Sequence, residues 1–333
     1  MDTHVPLRVV ITDCDFGAFA CERQELEGIA ELAVYQCQTE DDVIAVAQEA
    51  DGLLVQYAPI TRRVMQSLKK CQAIGRYGIG VDTIDVPAAT DYGIAVVNVP
   101  DYCFEEVSDH ALALLLACVR KLRFLDSTVR AGQWDVQRAA PIYRLRECTV
   151  GLIGFGNIAQ RVTQKLAGFG CPLLAYDPYA PSELFRQYGV TSANFDQILR
   201  QADILSIHVP LTTETHHLFD EHAFRRMKPE AFLINTSRGA IIDEQALYTA
   251  LQEHWIAGAA LDVVEEERLS PDSELLTLDN LLITPHAAFY SVTALQELQK
   301  WTARGVAQVL QGQIPTYLVN KELMHTRFSK QTP

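Results

Sequence analysis

Short apolar segments alternate with helical patterns from one end of the chain to the other, and this alternation limits the possible folds most strongly. The segments are apolar without a polar residue at every second position, as is typical of parallel strands covered on both faces. Strands that alternate with helices in this way predict an α/β fold with parallel sheets. The strand pattern occurs at 8–13, 30–36, 51–57, 73–80, 94–99, 149–154, 172–177, 203–210, 231–239, 256–264 and 280–286.

The segments form two groups, and 333 residues are enough for about two domains. Between the groups, the stretch from about Phe104 to Leu125 predicts one long helix, apolar on nearly every side and therefore buried against more than one neighbour. A further helical pattern follows His286 and continues to about Gln311. In the first group, Thr39 is a suitable N-cap for the helix that begins after it.

Composition excludes several classes of protein. The formal charge is −14, and the basic residues are scattered, which argues against a nucleic-acid partner or an anionic membrane surface. The N-terminal residues lack a signal-peptide pattern, and the most apolar helical stretch, at 111–119, is far too short to cross a bilayer. We therefore expect a cytoplasmic protein that binds neither nucleic acid nor membrane.

The cysteines and a histidine pair do not predict a metal site. Eight cysteines occur without a C-x-x-C pair and mostly within apolar segments, so we expect reduced thiols in the core. His216 and His217 are adjacent, and neighbouring side chains on regular structure point in different directions. No cysteine or second histidine pair lies at ligand spacing, so a polar loop or helix start is the preferred interpretation, and no metal is predicted.

The second group of strands begins with a dinucleotide-binding pattern. Gly154, Gly156 and Ala159 fill a G-x-G-x-x-G/A frame directly after a strand and at the start of a helix, whose N-terminal amides can bind a pyrophosphate. The frame alone is weak evidence. Asp177 ends the next strand, where an acidic side chain accepts a hydrogen bond from a ribose 2′-hydroxyl and repels a 2′-phosphate. The cofactor predicted is NAD rather than NADP.

Ligands of such sheets lie beyond the carboxyl ends of the strands, where this chain carries His208, Arg238, an acidic run after 258–264, and His286. The planar donors of Arg238 suit a carboxylate or a developing oxyanion. His286 is a candidate acid/base because histidine titrates near neutral pH. A histidine that caps a strand by bonding to backbone explains His286 equally well when it is taken alone.

These motifs together resemble the D-isomer-specific 2-hydroxyacid dehydrogenases over nearly the whole chain. The resemblance is carried by RYGIGVDTIDVPAATDYGIAVVNVPDY (76–102), GLIGFGNIAQ (151–160), AYDPY (175–179), INTSRGAIIDEQAL (234–247), GAALDVVEEE (258–267) and TPHAAFYS (284–291). Within the family, the chain is most similar to the branch of the C-terminal-binding-protein corepressors, judged by residues 100–122 and by the aromatic Phe289.

The resemblance implies an architecture. A Rossmann NAD-binding domain, residues 103–289, would be inserted into a discontinuous, flavodoxin-like substrate domain made of 1–102 and 290–333. Both domains would be doubly wound parallel sheets. The family is typically dimeric through the long helix near 104–125, so a homodimer is expected.

The resemblance also implies roles for individual residues. His286 is the acid/base, Arg238 binds the substrate, and Arg76, Ile79, Gly80 and Phe289 complete the substrate contacts, although a surface ion pair is an alternative for Arg76. The family's DV-x-E-x-E-P pattern places the histidine's carboxylate partner at Glu267. Arg268 replaces the usual proline, so Glu266 stays open, and Glu265 is expected to be an exposed carboxylate. The implied cofactor contacts are Gly154, Gly156, Asn157, Ile158, Asp177, His208, Val209, Pro210, Thr215, Thr236, Ser237, Arg238, Asp262 and His286.

The implied activity is NAD(H)-linked interconversion of a small D-2-hydroxy acid and its 2-oxo acid. Phosphoglycerate is disfavoured because Gln56 occupies the position of a phosphate-binding arginine, whereas glyoxylate, hydroxypyruvate, pyruvate and bulkier apolar acids stay open. Phe289 favours a substrate with some apolar surface. Two alternatives are a corepressor-like, NAD(H)-sensing dimer that binds peptides with little or no turnover, and an NAD-binding protein without activity.

Overall fold

The computed structural model describes residues 6–266 and 268–329 of the chain. Each of the predicted strand segments contains a strand. The short strand β8 is an addition, because its two residues are exposed and polar and give no strand signal. The strands are β1 (Leu7–Ile11), β2 (Ala30–Val34), β3 (Gly52–Val55), β4 (Ala73–Arg76), β5 (Ala95–Val97), β6 (Val150–Ile153), β7 (Leu173–Tyr176), β8 (Thr191–Ser192), β9 (Ile204–Ile207), β10 (Phe232–Asn235), β11 (Gly258–Leu261) and β12 (Leu281–Ile283).

Helices connect the strands and cover the sheets. Thr39 caps its helix as predicted, in a capping box with Asp42. The helices are α1 (Ala20–Glu25), α2 (Glu40–Ala47), α3 (Arg62–Ser67), α4 (Val86–Asp91), α5 (Phe104–Val119), α6 (Leu122–Arg130), α7 (Asn157–Leu166), α8 (Ser182–Gln187), α9 (Phe195–Gln201), α10 (Glu221–Phe224), α11 (Glu244–Gln252), α12 (Val292–Leu310) and α13 (Leu323–Thr326).

The chain divides into two compact units. One combines the residues up to Tyr102 with those from Ser291 onward, and the other is Cys103–Tyr290, so Tyr290 groups with the second unit rather than the first. The first unit contains a five-stranded parallel sheet in the order β2-β1-β3-β4-β5. This is the flavodoxin-like order, in which the direction of winding reverses between β1 and β3.

The C-terminal part of the chain completes this first sheet. α12 packs on β3 and β4, where Gly52 and Gly75 leave room for Val306: a Cβ at either glycine would lie 2.8 Å from a methyl group of that valine. Asn320 then joins the edge strand, since its Oδ1 accepts from the Val96 N–H at 2.9 Å. The two chain segments therefore share one core.

The second unit contains a seven-stranded parallel sheet in the order β12-β11-β10-β9-β6-β7-β8. It is the Rossmann order, extended by one strand at the β12 edge, and it reverses between β6 and β9. Both units are thus doubly wound parallel α/β sheets, as the alternation of strand and helix patterns predicted.

The prediction of one continuous helix from 104 to 125 is wrong, because the structure has two helices there. The helix breaks at Lys121, which has a left-handed φ of 50°, so α5 ends at Val119 and α6 begins at Leu122. α5 packs against α7 and the sheet of its own unit, which accounts for the burial of Ala111, Leu115 and its other apolar residues without a second subunit.

Two further expectations concern the thiols and the membrane. All eight cysteines are free, and five of them are buried. Among the described residues, no helix combines the length and the apolar character needed to pass through a bilayer.

Candidate active site

The turn after β6 requires glycine at position 154. Its φ is +89°, in the left-handed region, and a Cβ built there would lie 2.8 Å from the backbone oxygen of His208. Because β6 and β9 flank the reversal of strand order, Gly154 and His208 lie where open α/β sheets bind ligands. At Gly156 a Cβ would meet no atom within 4 Å, so open space adjoins the turn.

The helix after this turn has free amide donors. α7 begins at Asn157 and Ile158, and its N-cap Gly156 offers no side chain to accept from the first turn. Uncapped amides and the helix dipole together attract an anion such as a pyrophosphate. Asp177, which follows β7, lies beside the same turn, since its Oδ2 accepts from the Phe155 N–H at 2.9 Å. These residues fit a dinucleotide.

His208 directly follows β9 and is neutral at ordinary pH. Burial lowers the pKa of His208 to about 4. Its Nε2 lies 2.9 Å from the hydroxyl oxygen of Ser206 on the same strand. The loop that continues through Val209 and Pro210 is closed by Thr215, whose hydroxyl donates to the Pro210 carbonyl at 2.6 Å.

Asn235 holds the turn that carries Arg238. The buried Asn235 amide donates to the Arg238 carbonyl at 2.9 Å, and its Oδ1 accepts from the Ser237 N–H at 3.0 Å. The Ser237 hydroxyl donates to the Ile207 carbonyl on the neighbouring strand β9 at 2.8 Å. Within the described residues the buried hydroxyl of Thr236 has no hydrogen-bond partner. A bound ligand can supply the missing hydrogen bond of such a group.

Gly239 brings the Arg238 turn against the segment that leads to the three glutamates. A Cβ at Gly239 would overlap the backbone of Val264 and Glu265. The two loops therefore touch through backbone atoms, and no larger residue fits at Gly239 without moving one of them.

Asp262 holds the turn that carries His286. The Asp262 side chain is 1% exposed; its Oδ1 accepts from the Thr284 hydroxyl at 2.6 Å and the Ala287 N–H at 2.8 Å, and its Oδ2 from the Ala288 N–H at 2.8 Å. The N–H of His286, where φ is +51°, donates to the Asp262 carbonyl at 2.8 Å. Asp262 thus acts on the site through the turn it holds.

His110 on α5 completes this arrangement. Its Nε2 lies 3.0 Å from the Thr284 hydroxyl and 3.4 Å from the Asp262 carboxylate. Burial alone would raise the pKa of Asp262, but hydrogen bonds from His110, Thr284 and the backbone outweigh it and lower that pKa. The buried carboxylate is therefore ionised at neutral pH, with its charge compensated by donors.

The acidic run is only partly described. Glu267, the predicted partner of His286, lies outside the described residues, and Glu266 is exposed. Glu265 is exposed as predicted, but its Oε1 pairs with Nε2 of His217 at 2.8 Å.

The ring centroids of His216 and His217 lie 4.0 Å apart in a stacked arrangement. The expectation that these adjacent side chains point in different directions is therefore wrong, because they lie in an irregular loop.

The remaining predicted substrate contacts fall in different units. Phe289 lies in the second unit, edge-on to the His286 ring at 5.9 Å. Arg76, Ile79 and Gly80 belong to the first unit, at the end of β4. There the Arg76 guanidinium donates to the Tyr77 carbonyl at 2.5 Å, and the Ile79 carbonyl accepts from the Asn98 amide at 2.6 Å.

Comparison with known proteins identifies the family of the chain. A family model described as "D-isomer specific 2-hydroxyacid dehydrogenase, NAD binding domain" matches residues 112–288. The chain belongs to this family. It is 39% identical to a glyoxylate reductase of Korarchaeum cryptofilum over 81% of this chain and 82% of that one. It is 38% identical to a D-3-phosphoglycerate dehydrogenase of Methanocaldococcus jannaschii over 89% of this chain and 56% of that one.

A solved structure gives the same result. The D-lactate dehydrogenase of Aquifex aeolicus, complexed with NAD and lactic acid, superposes with a TM-score of 0.85 at 28% identity, covering 94% of this chain and 99% of that one. This D-isomer-specific 2-hydroxyacid dehydrogenase is therefore an NAD-dependent oxidoreductase with a Rossmann cofactor domain. The comparisons do not distinguish the corepressor-like branch from the others.

The sequence patterns of this dehydrogenase did not predict three residues of the site: Asn235, His110 and Thr284. All three act on predicted site residues through hydrogen bonds rather than as ligands themselves. The available signal was a polar residue at the end of an apolar strand or within an apolar helix, which a packed interior tolerates only with partners.

We predict that Asp262→Asn lowers kcat by at least about tenfold, an effect of about 1.4 kcal/mol on the barrier. An amide replaces one acceptor oxygen with a donor that faces the Thr284 or backbone donors, so the His286 turn has to move. Steady-state kinetics with NADH measure the effect. Asp272→Asn, an exposed position, is the control; equal rates for the two variants would contradict the positioning role.

The lowered pKa of His208 predicts a pH-dependent stability. An unfolded chain binds a proton at an ordinary histidine pKa near 6.5, whereas folded His208 does so only near pH 4, so stability falls as the pH drops between these values. The loss from this residue is about 2 kcal/mol between pH 7 and pH 5. Urea unfolding of His208→Asn should show a smaller loss than the native chain, while exposed His222→Asn should match the native chain.

Proposed function

We propose that the chain interconverts a small D-2-hydroxy acid and its 2-oxo acid, with glyoxylate as the first candidate for the oxo acid. NAD(H) supplies or accepts the hydride at C2 of the substrate. The observation that carries the proposal is that Arg238 and His286 follow β10 and β12 at the same edge of one parallel sheet, on which the glycine turn also lies. The name of the Korarchaeum relative supports glyoxylate.

In this proposal His286 moves the proton. During reduction, its imidazolium gives a proton to the carbonyl oxygen of the 2-oxo acid, and during oxidation its neutral ring accepts the proton of the alcohol. A carboxylate, assigned to Glu267 with Glu266 as the alternative, holds one ring nitrogen and favours the protonated ring. The rigid support of the turn by Asp262 favours a fixed ring position.

Arg238 binds the substrate carboxylate and polarises its carbonyl group. Asn235 and Ser237 fix the backbone from which this side chain extends, so the backbone of the turn loses little conformational entropy on binding. Phe289, edge-on to the His286 ring, would contact the apolar part of a substrate.

A phosphorylated substrate has less support. Gln56, at the position of the phosphate-binding arginine, is 3% exposed, and its Oε1 accepts from the Asp15 N–H at 2.8 Å. The buried carboxylate of Asp13 accepts from the N–H groups of Gln56, Tyr57 and Ala58. These amides are therefore already bonded to an anion of the chain, and the local charge opposes a phosphate.

We predict that His286→Asn lowers kcat at least about a hundredfold, the lower range for a lost general acid/base. Asparagine tolerates the left-handed φ of this position, so the turn should persist. Exposed His254 also has a positive φ, of 57°, and His254→Asn is the matched control. The assay follows NADH oxidation with glyoxylate, hydroxypyruvate, pyruvate and 3-phosphohydroxypyruvate, and NADH binding is titrated by fluorescence.

The outcomes of this assay separate the alternatives. Turnover of glyoxylate that is lost in His286→Asn and retained in His254→Asn supports the proposal. NADH binding without turnover of any 2-oxo acid would instead favour a cofactor-sensing, corepressor-like protein. Full turnover in His286→Asn would exclude the assigned acid/base. Glu267→Gln and Glu266→Gln, measured in the same way, identify the partner of His286.

We also propose a homodimer. The segment from α6 to residue 143 exposes several large apolar side chains, among them Trp134 at 90% and Val136 at 67%. A surface of this kind marks a protein interface, and a second copy of the chain is the partner that the family resemblance implies. The site of contact would then be this segment more than α5, which is covered within its own unit.

Light scattering should give a native mass of twice the 37.1 kDa of one chain. Trp134→Glu should shift the mass toward that of one chain, because a charge would be buried in an apolar contact. Tyr179→Glu is the control, since Tyr179 is 89% exposed outside the segment. A monomeric native chain, or a dimer unchanged by Trp134→Glu, would refute this proposal.

A further inference from the structure

Three ligating side chains meet away from the predicted reaction. His216 and His217 lie in the loop after β9, and Glu265 lies in the loop after β11, 48 residues further along the chain. One ligand atom from each lies within 4.8 Å of the other two. The side chains of His217 and Glu265 are 34% and 36% exposed, so an ion reaches them from solvent.

The donor set suits one class of ion. Two imidazole nitrogens and one carboxylate oxygen are ligands of Zn²⁺ and similar borderline divalent metals, which leave a fourth position for water. Two ligand atoms on one zinc ion lie roughly 3.3 Å apart, as follows from bond lengths of about 2.0–2.1 Å and tetrahedral angles. His217 Nε2 and Glu265 Oε1 are 2.8 Å apart, and all three ligand atoms lie within 4.8 Å of one another, close to that spacing.

The backbone around the cluster is already organised. The His217 N–H donates to the Ala240 carbonyl at 2.9 Å, and the Phe219 N–H donates to the Ile241 carbonyl at 3.0 Å. The Glu265 N–H donates to the carboxylate of Glu244 at 2.5 Å. Because these bonds hold both loops in place, an ion would bind without the cost of ordering them.

Without a bound ion, a hydrogen bond pairs two side chains of the cluster, and the third is exposed to solvent. The hydrogen bond between His217 and Glu265 accounts for their pairing without any ion. His216 stacks on His217, but its ring has no hydrogen bond among residues 6–266 and 268–329. The exposed His216 ring lies beside the imidazole–carboxylate pair, so it can supply a third ligand without breaking an existing hydrogen bond.

We propose that His216, His217 and Glu265 form a binding site for a zinc-like divalent cation. The bound ion ties the loop after β9, which contains Thr215 of the predicted cofactor contacts, to the loop that leads to Glu267. Its role is to stabilise these loops, and it takes no part in the proposed hydride transfer.

Zn²⁺ alone, titrated into the full chain by calorimetry, tests the site. The matched variants are His216→Phe, which keeps the ring stack but has no ligand atom, and Glu265→Gln, which keeps a hydrogen-bond acceptor but loses the charge. His222→Phe, an exposed histidine on α10, is the control for adventitious binding. Burial raises the pKa of Cys14 and Cys118 to about 12, so these thiols compete poorly for the ion.

We expect one site whose affinity falls at least about tenfold in His216→Phe and Glu265→Gln, since even an outer partner of a metal site is worth 10–100-fold. His222→Phe should bind as the native chain does. Zn²⁺ should also slow hydrogen exchange of the amides at 212–218 in the native chain and not in His216→Phe. No binding, or equal binding by His216→Phe and His222→Phe, would overturn the proposal, and neither result depends on turnover.

Discussion

Buried hydrogen bonds at the carboxyl ends of β10, β11 and β12 hold the site of this dehydrogenase together. A parallel ladder ends with its strands, so the backbone that follows has to find other partners. Here the Asp262 N–H continues to the Asn235 carbonyl and the Thr284 N–H to the Leu261 carbonyl, while the side chains of Asn235 and Asp262 bind the next turns. A buried polar group is costly without its partners and therefore specifies one geometry when it has them.

Individual groups set the electrostatics of the site, and the net charge of the whole chain does not. A chain with a formal charge of −14 has to bind an anionic cofactor and an anionic acid. Oriented backbone amides at the start of α7 suit the cofactor, and in our proposal the guanidinium of Arg238 binds the acid. The nearby ionised Asp262 is compensated by donors, and partial burial lowers the pKa of His208 to about 4, so that its ring is neutral.

Different parts of the structure were predictable to different degrees. Strand segments were visible as apolar runs, and the glycine frame marked the Gly154 turn, because both depend on local residue type and spacing. The break at Lys121 was not visible, since a lysine carries no preference for the left-handed conformation it adopts there. The stacked His216 and His217 pair was misjudged for a related reason, because regular geometry was assumed for an irregular loop.

The sequence by itself determined the two parallel-sheet units, the cofactor turn and the family, because periodicity, glycine positions and long ordered motifs are properties of the chain read in one dimension. Only the tertiary structure decided which side chains support the reactive ones. His110 reaches Thr284 across 174 positions, and Glu265 reaches His217 across 48. Such contacts depend on which strand lies beside which and on where each loop turns, and residue order alone does not contain that information.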